Sequence, residues 1–388
     1  MSVSTWTGRH WLTGVPTMVS TDGGAITEIA PSRLDTDLWI APGLTDAHVN
    51  GMGGFNLNGV EASAETLIGT LRALHREGVT RFCPTIVTGT KENIIDNIRS
   101  IIDACDSSAL ADRSVVGIHI EGPFISPDDG PRGAHNRDWV RPPDWQEFLE
   151  WQDAARGRIR QVTVAPETAG AIAFIQRLAE SGVVASIGHS AATAEDVRAA
   201  ISAGATMATH LGNGSHVQLR RHPNHVWAQL AEDAQWAAFI PDGFHLPPDT
   251  LKVMLRAKGR KAILTSDASY LAQLPPGNYS THHGAEVILR PDGMLHLAGT
   301  SDILAGSAVT LRTGVQNVAN FGIMPLGEAI NLASLHPAEL FGLDALGAGT
   351  LSAGGEADLI TYRWAGEVPN GEMVIENTVS RGEVVFAA

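Results

Sequence analysis

Of the 15 histidines in this 388-residue chain, six crowd one stretch: His189, His210, His216, His222, His225 and His245. Imidazole binds divalent metals and carries protons near neutral pH, so the carboxylates that accompany these rings decide what chemistry is open. Two of the rings close short apolar runs, His189 in VVASIGHS (183–190) and His210 in TMATHL (206–211). Glu121 closes a third, VVGIHIEG (115–122), where an unpaired carboxylate would be costly. Taken singly, each has an ordinary explanation: a hydrogen-bonded core histidine, or a glutamate in the Gly122–Pro123 turn. Together, two imidazoles and a carboxylate are a ligand set for zinc or another divalent ion with a position left for water.

Asp267 ends AILTSDAS (262–269). It reads either as a turn or N-cap aspartate, or as a general base toward a water that such an ion makes acidic. His48 and Asn50, two apart in DAHVNG, face one side of an extended chain. They suit either a polar strand end running into GMGG or a second metal or polar site. His119 would point the same way as Glu121. Another group suits an anion: Asn213 and Gly214 after His210, Arg220 and Arg221 in HVQLRRHP, and His245 ending DGFH. The arginines are either solvated surface or a guanidinium fork for phosphate.

The metal and acid/base candidates share one position, the C-terminal end of an apolar run. The runs number eight: 44–49, 80–87, 115–122, 162–167, 183–190, 206–211, 236–243 and 262–269. Between them lie helical patterns such as 63–78, 171–182, 193–204 and 249–259. Thr193 with Asp196 resembles a capping box, and Gly78, Gly182, Gly204 and Gly259 stand where C-terminal caps belong. Eight strands, most with a following helix, across a span near the usual ~250 residues predict an α/β fold, a (β/α)₈ TIM barrel. In that fold the C-terminal strand ends line the active site, where these residues fall. A doubly wound sheet is the second reading, and against it no GxGxxG or Walker A loop follows any run.

Short apolar runs broken by Gly and Ser at both termini predict a small β-sandwich of residues 1–43 and 345–388 beside a barrel of 44–344. Within the latter, 285–299 reads as a hairpin turning at Pro291–Gly293. Helices follow around 307–320, 326–334 and 337–341. With 44% hydrophobic and 18% charged residues, the chain can bury a full core and is folded throughout. Lys+Arg 27 against Asp+Glu 42 gives 27 − 42 = −15, which argues against nucleic acid or an anionic membrane as partner. Neither a signal-peptide layout nor a run of roughly 18 apolar residues is present, and a cytoplasmic location is expected. Two cysteines, Cys83 and Cys105, exclude a disulfide framework or thiolate zinc cluster within one chain.

Nine segments in order carry a resemblance: PGLTDAHVNGMGG, HIEGPF, GAHN, IGHS, THLGNGSH, PDGFHL, LTSDA, LAGSAVTL and GTLSAGGEADL. Through them the chain resembles the amidohydrolase superfamily, most closely the N-acetylglucosamine-6-phosphate deacetylases. The resemblance implies hydrolysis of the N-acetyl amide of an amino-sugar phosphate, with acetate as one product. A different N-acyl amino sugar or a cyclic amide is the alternative within enzymes. A catalytically silent barrel, with no stoichiometric metal, is the alternative of another class.

It further implies that Glu121, His189 and His210 hold one divalent ion (zinc, or else iron, manganese or cobalt), with Asp267 as acid/base. His135 and His245 would bind substrate, and Asn213, Gly214 and Arg221 the sugar phosphate. The Arg-bearing loop often reaches a neighbouring subunit in such families, which implies a homodimer. Three features depart from the pattern. His48-Val49-Asn50 replaces the frequent His-x-His, favouring one metal over two, Asn213-Gly214-Ser215 replaces Asn-Ala-Met, and the region 216–230 carries His222 and Asn224-His225 where acidic and Gly residues are common.

Overall fold

The structure is a computed structural model that describes residues 3–34, 36–281, 284–300 and 303–388. Eight parallel strands stand side by side in chain order: β1 (Leu44–Val49), β2 (Val79–Val87), β3 (Ile118–Glu121), β4 (Ile159–Val164), β5 (Val184–Ile187), β6 (Met207–Ala208), β7 (Trp236–Phe239) and β8 (Ala262–Leu264). The ring closes just past β8, where Val49 bridges Ala268 and the Asn50 N–H donates to the Ala268 carbonyl at 2.8 Å. Chain-order pairing with closure is a barrel and overturns the doubly wound alternative, in which the strand order reverses and the sheet stays open. Every expected run overlaps one of the eight strands, though Ile159–Val164 begins three residues before its run.

The connecting helices form where the apolar spacing placed them. Ala64–Arg76 and Ala194–Ser202 each begin with a capping box, Ser63 with Thr66 and Thr193 with Asp196. Lys91–Ser107 and Trp145–Ala154 complete the outer layer between β2 and β4. Among the described residues no helix is long and apolar enough to cross a membrane.

Both chain ends meet in one seven-stranded sheet. Its order is Glu383–Ala387, Glu372–Ser380, Leu359–Ala365, Trp39–Pro42, Ser4–His10, Pro16–Asp22 and Ala25–Pro31. All pairs are antiparallel except Ser4–His10 with Trp39–Pro42. The sheet curls so that its two edges approach: Ala25 bridges Glu356, and Ala357 donates to the Gly24 carbonyl while accepting from the Gly382 N–H, both at 2.9 Å. Buried Arg81 of β2 joins the sheet to the barrel through Asp358 (Nε to Oδ2, 3.0 Å) and Glu356.

An insertion after β8 lies over the barrel mouth. The expected hairpin is there, Glu286–Leu289 against Leu295–Leu297, and Gly277–Ser280 adds a third strand. Helices Leu311–Asn320, Leu326–Leu332 and Leu335–Phe341 follow.

Inside the barrel, beneath the mouth, a polar chain replaces the usual branched aliphatic filling. His119 bonds Thr85 (3.2 Å) and Thr163 (2.8 Å), Thr163 bonds Thr209 (2.8 Å), and Thr209 bonds Ser186 (2.6 Å). Burial, followed by the neighbouring His48, holds His119 well below the ordinary imidazole range. It is therefore a neutral link in this network.

Candidate active site

The strand ends deliver their side chains to one point. Glu121 is the last residue of β3, His189 and His210 each lie two residues past β5 and β6, and Asp267 lies three past β8. Three of these four turn off the strand direction with positive φ: His189 (+48°), His210 (+27°) and Asp267 (+50°). Only six non-glycine residues among those described have positive φ. That half of them stand on one rim fits strain held at a site of function, of order 1–3 kcal/mol each. Past the bends, His189 and His210 meet Glu121, and Asp267 meets His48.

The Nε2 atoms of His189 and His210 lie 3.2 and 3.0 Å from Glu121 Oε1 and 3.1 Å from each other. His189 Nδ1 faces the Pro131 carbonyl at 2.9 Å. A carbonyl only accepts, so the proton of a neutral His189 sits on Nδ1 and its Nε2 presents a lone pair. That lone pair meets a carboxylate oxygen and a second imidazole nitrogen, an arrangement that a shared cation relieves. The edges of 3.0–3.2 Å come close to the ~3.3 Å expected between donors of a tetrahedral ion bound at ~2.0–2.1 Å. The residues fit a divalent metal. His48 and His135 extend the group, each able to join Glu121 in a cluster of donor atoms.

His48 sits between two carboxylates, its Nε2 3.2 Å from Glu121 Oε2 and 3.1 Å from Asp267 Oδ1. Burial would depress this imidazole, but Glu121 and Asp267 outweigh it and push its pKa up to about 9. Asn50 donates from Nδ2 to Asp267 Oδ1 at 2.7 Å. Glu121 is held well below the usual carboxylate range because His48, His189 and His210 overcome the cost of its burial.

Around this centre opens a cavity of about 620 Å³. His135 enters from the loop after β3, its Nε2 3.9 Å from Glu121 Oε2 and its Nδ1 2.8 Å from Thr88 Oγ1. Burial and the adjacent His189 push its pKa down to about 3, so it carries a single proton. When Thr88 donates its hydroxyl to Nδ1, that proton stands on Nε2 and faces the cavity. Replacing Thr88 by Val keeps the shape and removes this donor. A roughly tenfold fall in kcat is expected, with Thr88→Ser restoring it, read by steady-state kinetics on both variants.

His245 Nδ1 bonds Asp242 Oδ2 at 2.7 Å, and Asp242 also accepts from the Phe244 and His245 N–H groups and from Ser307. Burial lowers the pKa of this imidazole, but Asp242 more than compensates and raises it. Asn213 and Gly214 line the same cavity. Gly214 has φ +55°, and a Cβ there would lie 2.9 Å from His189 Nδ1. Gly214→Ala is expected to cost about 1–2 kcal/mol for the left-handed backbone and to displace His189. Chemical denaturation and a metal titration check the two effects.

Arg221 and Arg220 are exposed and contribute nothing to the cavity wall. Among the described residues lining it there is no lysine or arginine. Of the three remaining loop histidines, His225 is buried and bonds Ser215 Oγ through Nε2 at 2.9 Å, pinning the loop that packs on His189. His216 lines the cavity, 3.9 Å from Asp128, and His222 is exposed beside Trp227. Thr88 and Asp242 are the residues of this site that the sequence does not single out, Thr88 because it is uncharged and Asp242 because it stands in the PDG turn before His245. Thr88 directly follows the run 80–87, so its place at a strand end is the signal that marks it.

A parallel barrel with two imidazoles and a carboxylate on its C-terminal rim, beside an aspartate held by Asn50 and His48, defines a class of metal-dependent hydrolytic enzymes. The amidohydrolase family model matches residues 39–385, and the chain belongs to that family. It is 31% identical over 353 residues to the N-acetylglucosamine-6-phosphate deacetylase of Bacillus subtilis (strain 168), covering 90% of this chain and 85% of that protein. It is 32% identical over 345 residues to the N-acetylgalactosamine-6-phosphate deacetylase of Escherichia coli O157:H7, covering 87% and 88%. Among solved structures, a mutant of the Mycobacterium smegmatis N-acetyl-D-glucosamine-6-phosphate deacetylase in complex with N-acetyl-D-glucosamine-6-phosphate superposes with a TM-score of 0.85 at 29% identity. The match covers 99% of this chain and all of that one.

Proposed function

We propose that this protein hydrolyses the N-acetyl amide of an amino-sugar 6-phosphate, N-acetylglucosamine 6-phosphate before others, to acetate and glucosamine 6-phosphate. The observation that carries it is the convergence of Glu121, His189 and His210 within 3.2 Å, with Asp267 beside them. Glu121, His189 and His210 would hold one divalent ion, zinc first among zinc, iron, manganese and cobalt. When bound, such an ion supplies Lewis acidity that lowers the pKa of water toward ~7 and polarises a carbonyl.

Asp267 takes a proton from the attacking water and returns it to the departing amine nitrogen. Asn50 and His48 hold its carboxylate in place by hydrogen bond and charge. His48 fills the space between Glu121 and Asp267, which supports one metal over two. His135 donates from Nε2 to the oxygen that gains charge. His245, anchored by Asp242, and Asn213 with Gly214 bind sugar and phosphate oxygens.

Arg221 is exposed and does not line its own cavity, so its reading of a phosphate requires a second copy of the chain. Exposed Val217 and Leu219 on the same loop, and Trp227 on the helix His225–Leu230 that follows it, support that homodimer. The reading carries with it a cytoplasmic enzyme.

The test pairs elemental analysis with a deacetylation assay on N-acetylglucosamine 6-phosphate, its 4-epimer and the unphosphorylated sugar. One metal per chain and a kcat/KM highest for the first are expected. No turnover of any of the three by metal-loaded protein sinks the proposal.

A further inference from the structure

The cavity has two kinds of wall. Over strands β1 to β3 it is polar, with Asn50, Asn58, Thr88 and His135, and over β6 and β7 it is polar again, with Asn213, Ser215, His216 and His245. Past β8 it is mainly apolar, formed by Tyr270, Val287, Met294, Leu297, Ile303 and Leu304, with Ser269 and Thr281 the polar side chains among them. This wall is built outward from the reacting centre. Ser307 donates to the Asp267 carbonyl at 2.9 Å, and Ser269 donates to the Ser307 carbonyl at 2.8 Å. The chain then continues through Ala305 and Leu304, which pair with Leu295 and His296 of the insertion. At Gly306 a Cβ would lie 3.1 Å from the Asp267 carbonyl, so glycine lets the wall start flush against the acid/base. Val287 and Leu297 face each other across the hairpin and extend it.

The acyl chain is the part of an N-acyl amino-sugar phosphate that can lengthen without adding a polar atom, whereas the apolar C–H faces of the sugar ring are fixed in size. An acetyl methyl reaches only the side chains within about 4.5 Å, whereas this wall runs on from the Asp267 segment through Gly306 and Ala305 to Leu304 and the hairpin. We propose that this wall is an acyl subsite, and that the protein accepts N-acyl groups longer than acetyl. The inference rests on the amide-hydrolase reading above. The reaction is the same: water oxygen adds to the acyl carbon, the C–N bond breaks, nitrogen takes the proton, and a short-chain carboxylate leaves in place of acetate.

The experiment compares kcat/KM for N-acetyl-, N-propanoyl- and N-butanoylglucosamine 6-phosphate with the zinc-loaded wild-type protein. Each added methylene is expected to raise kcat/KM up to about fourfold, the equivalent of ~0.8 kcal/mol per buried CH₂. A lower value for propanoyl than for acetyl overturns the proposal. In Leu304→Trp, which fills the wall, the butanoyl-to-acetyl ratio is expected to fall at least tenfold, and an unchanged ratio in a folded variant also overturns it. Failure to cleave any of the three takes down the hydrolase reading with it. Cleavage of the longer chains alone upholds the subsite and removes acetyl as the natural group.

Discussion

Replacing Asp267 by Asn is expected to lower kcat by about 10²–10⁴-fold, the usual contribution of a positioned acid/base, while metal content and thermal midpoint stay at wild-type values. The substitution is close to isosteric. Its remaining carbonyl oxygen accepts from Asn50 as Oδ1 does now at 2.7 Å, and asparagine tolerates the φ of +50° as readily as aspartate. An amide, however, takes no proton from water and has none to return to the amine. Asp267 also stands outside the set Glu121, His189 and His210, whose nitrogen and oxygen donors meet without it. A kcat within tenfold of wild type excludes Asp267 as acid/base. Loss of metal from the variant reassigns it as a ligand.

Glu121→Gln is expected to act one step earlier, by removing the metal. One carboxylate serves three imidazoles: Oε1 meets His189 and His210, and Oε2 meets His48 at 3.2 Å. Glutamine keeps the volume but loses the charge and turns an NH₂ toward nitrogen atoms or a protonated His48. Elemental analysis should show less than one metal per chain, and kcat should fall at least as far as in Asp267→Asn. Thermal melts separate the two variants. An ion that binds only the folded chain stabilises it by about 2.7 kcal/mol at a hundred times its Kd. Wild type and Asp267→Asn should therefore gain stability on zinc addition, and Glu121→Gln should not. A full metal complement in Glu121→Gln would mean that the histidines suffice and that Glu121 has another role.

The barrel was legible because its strands are buried on both faces and read as apolar runs, with helix-period segments between most of them. The edges of those runs were legible too, since a polar residue after four to eight apolar ones is conspicuous. The sandwich-like sheet of the two termini followed from their Gly-broken composition. In the insertion after β8, by contrast, Gly277–Ser280, with few apolar residues, carried no strand signal. Periodicity cannot register dihedral angles, so nothing in IGHS or MATHL revealed the positive φ of His189 and His210. Nor could charge pattern tell that Arg221 faces solvent while His225, four residues on, is buried against Ser215.

What the linear order of residues determined by itself is the set of groups at the C-terminal strand ends, because side-chain type and run length are local properties. Which of those groups meet was decided by closure of the barrel. Asn50 and Asp267, 217 residues apart, come within 2.7 Å only because β1 pairs with the segment just past β8. The same closure sets His48 between Glu121 and Asp267, while the pairing of neighbouring strands gives His119 its threonine partners on β2 and β4. Each depends on distances between residues far apart in the chain, which only tertiary packing sets.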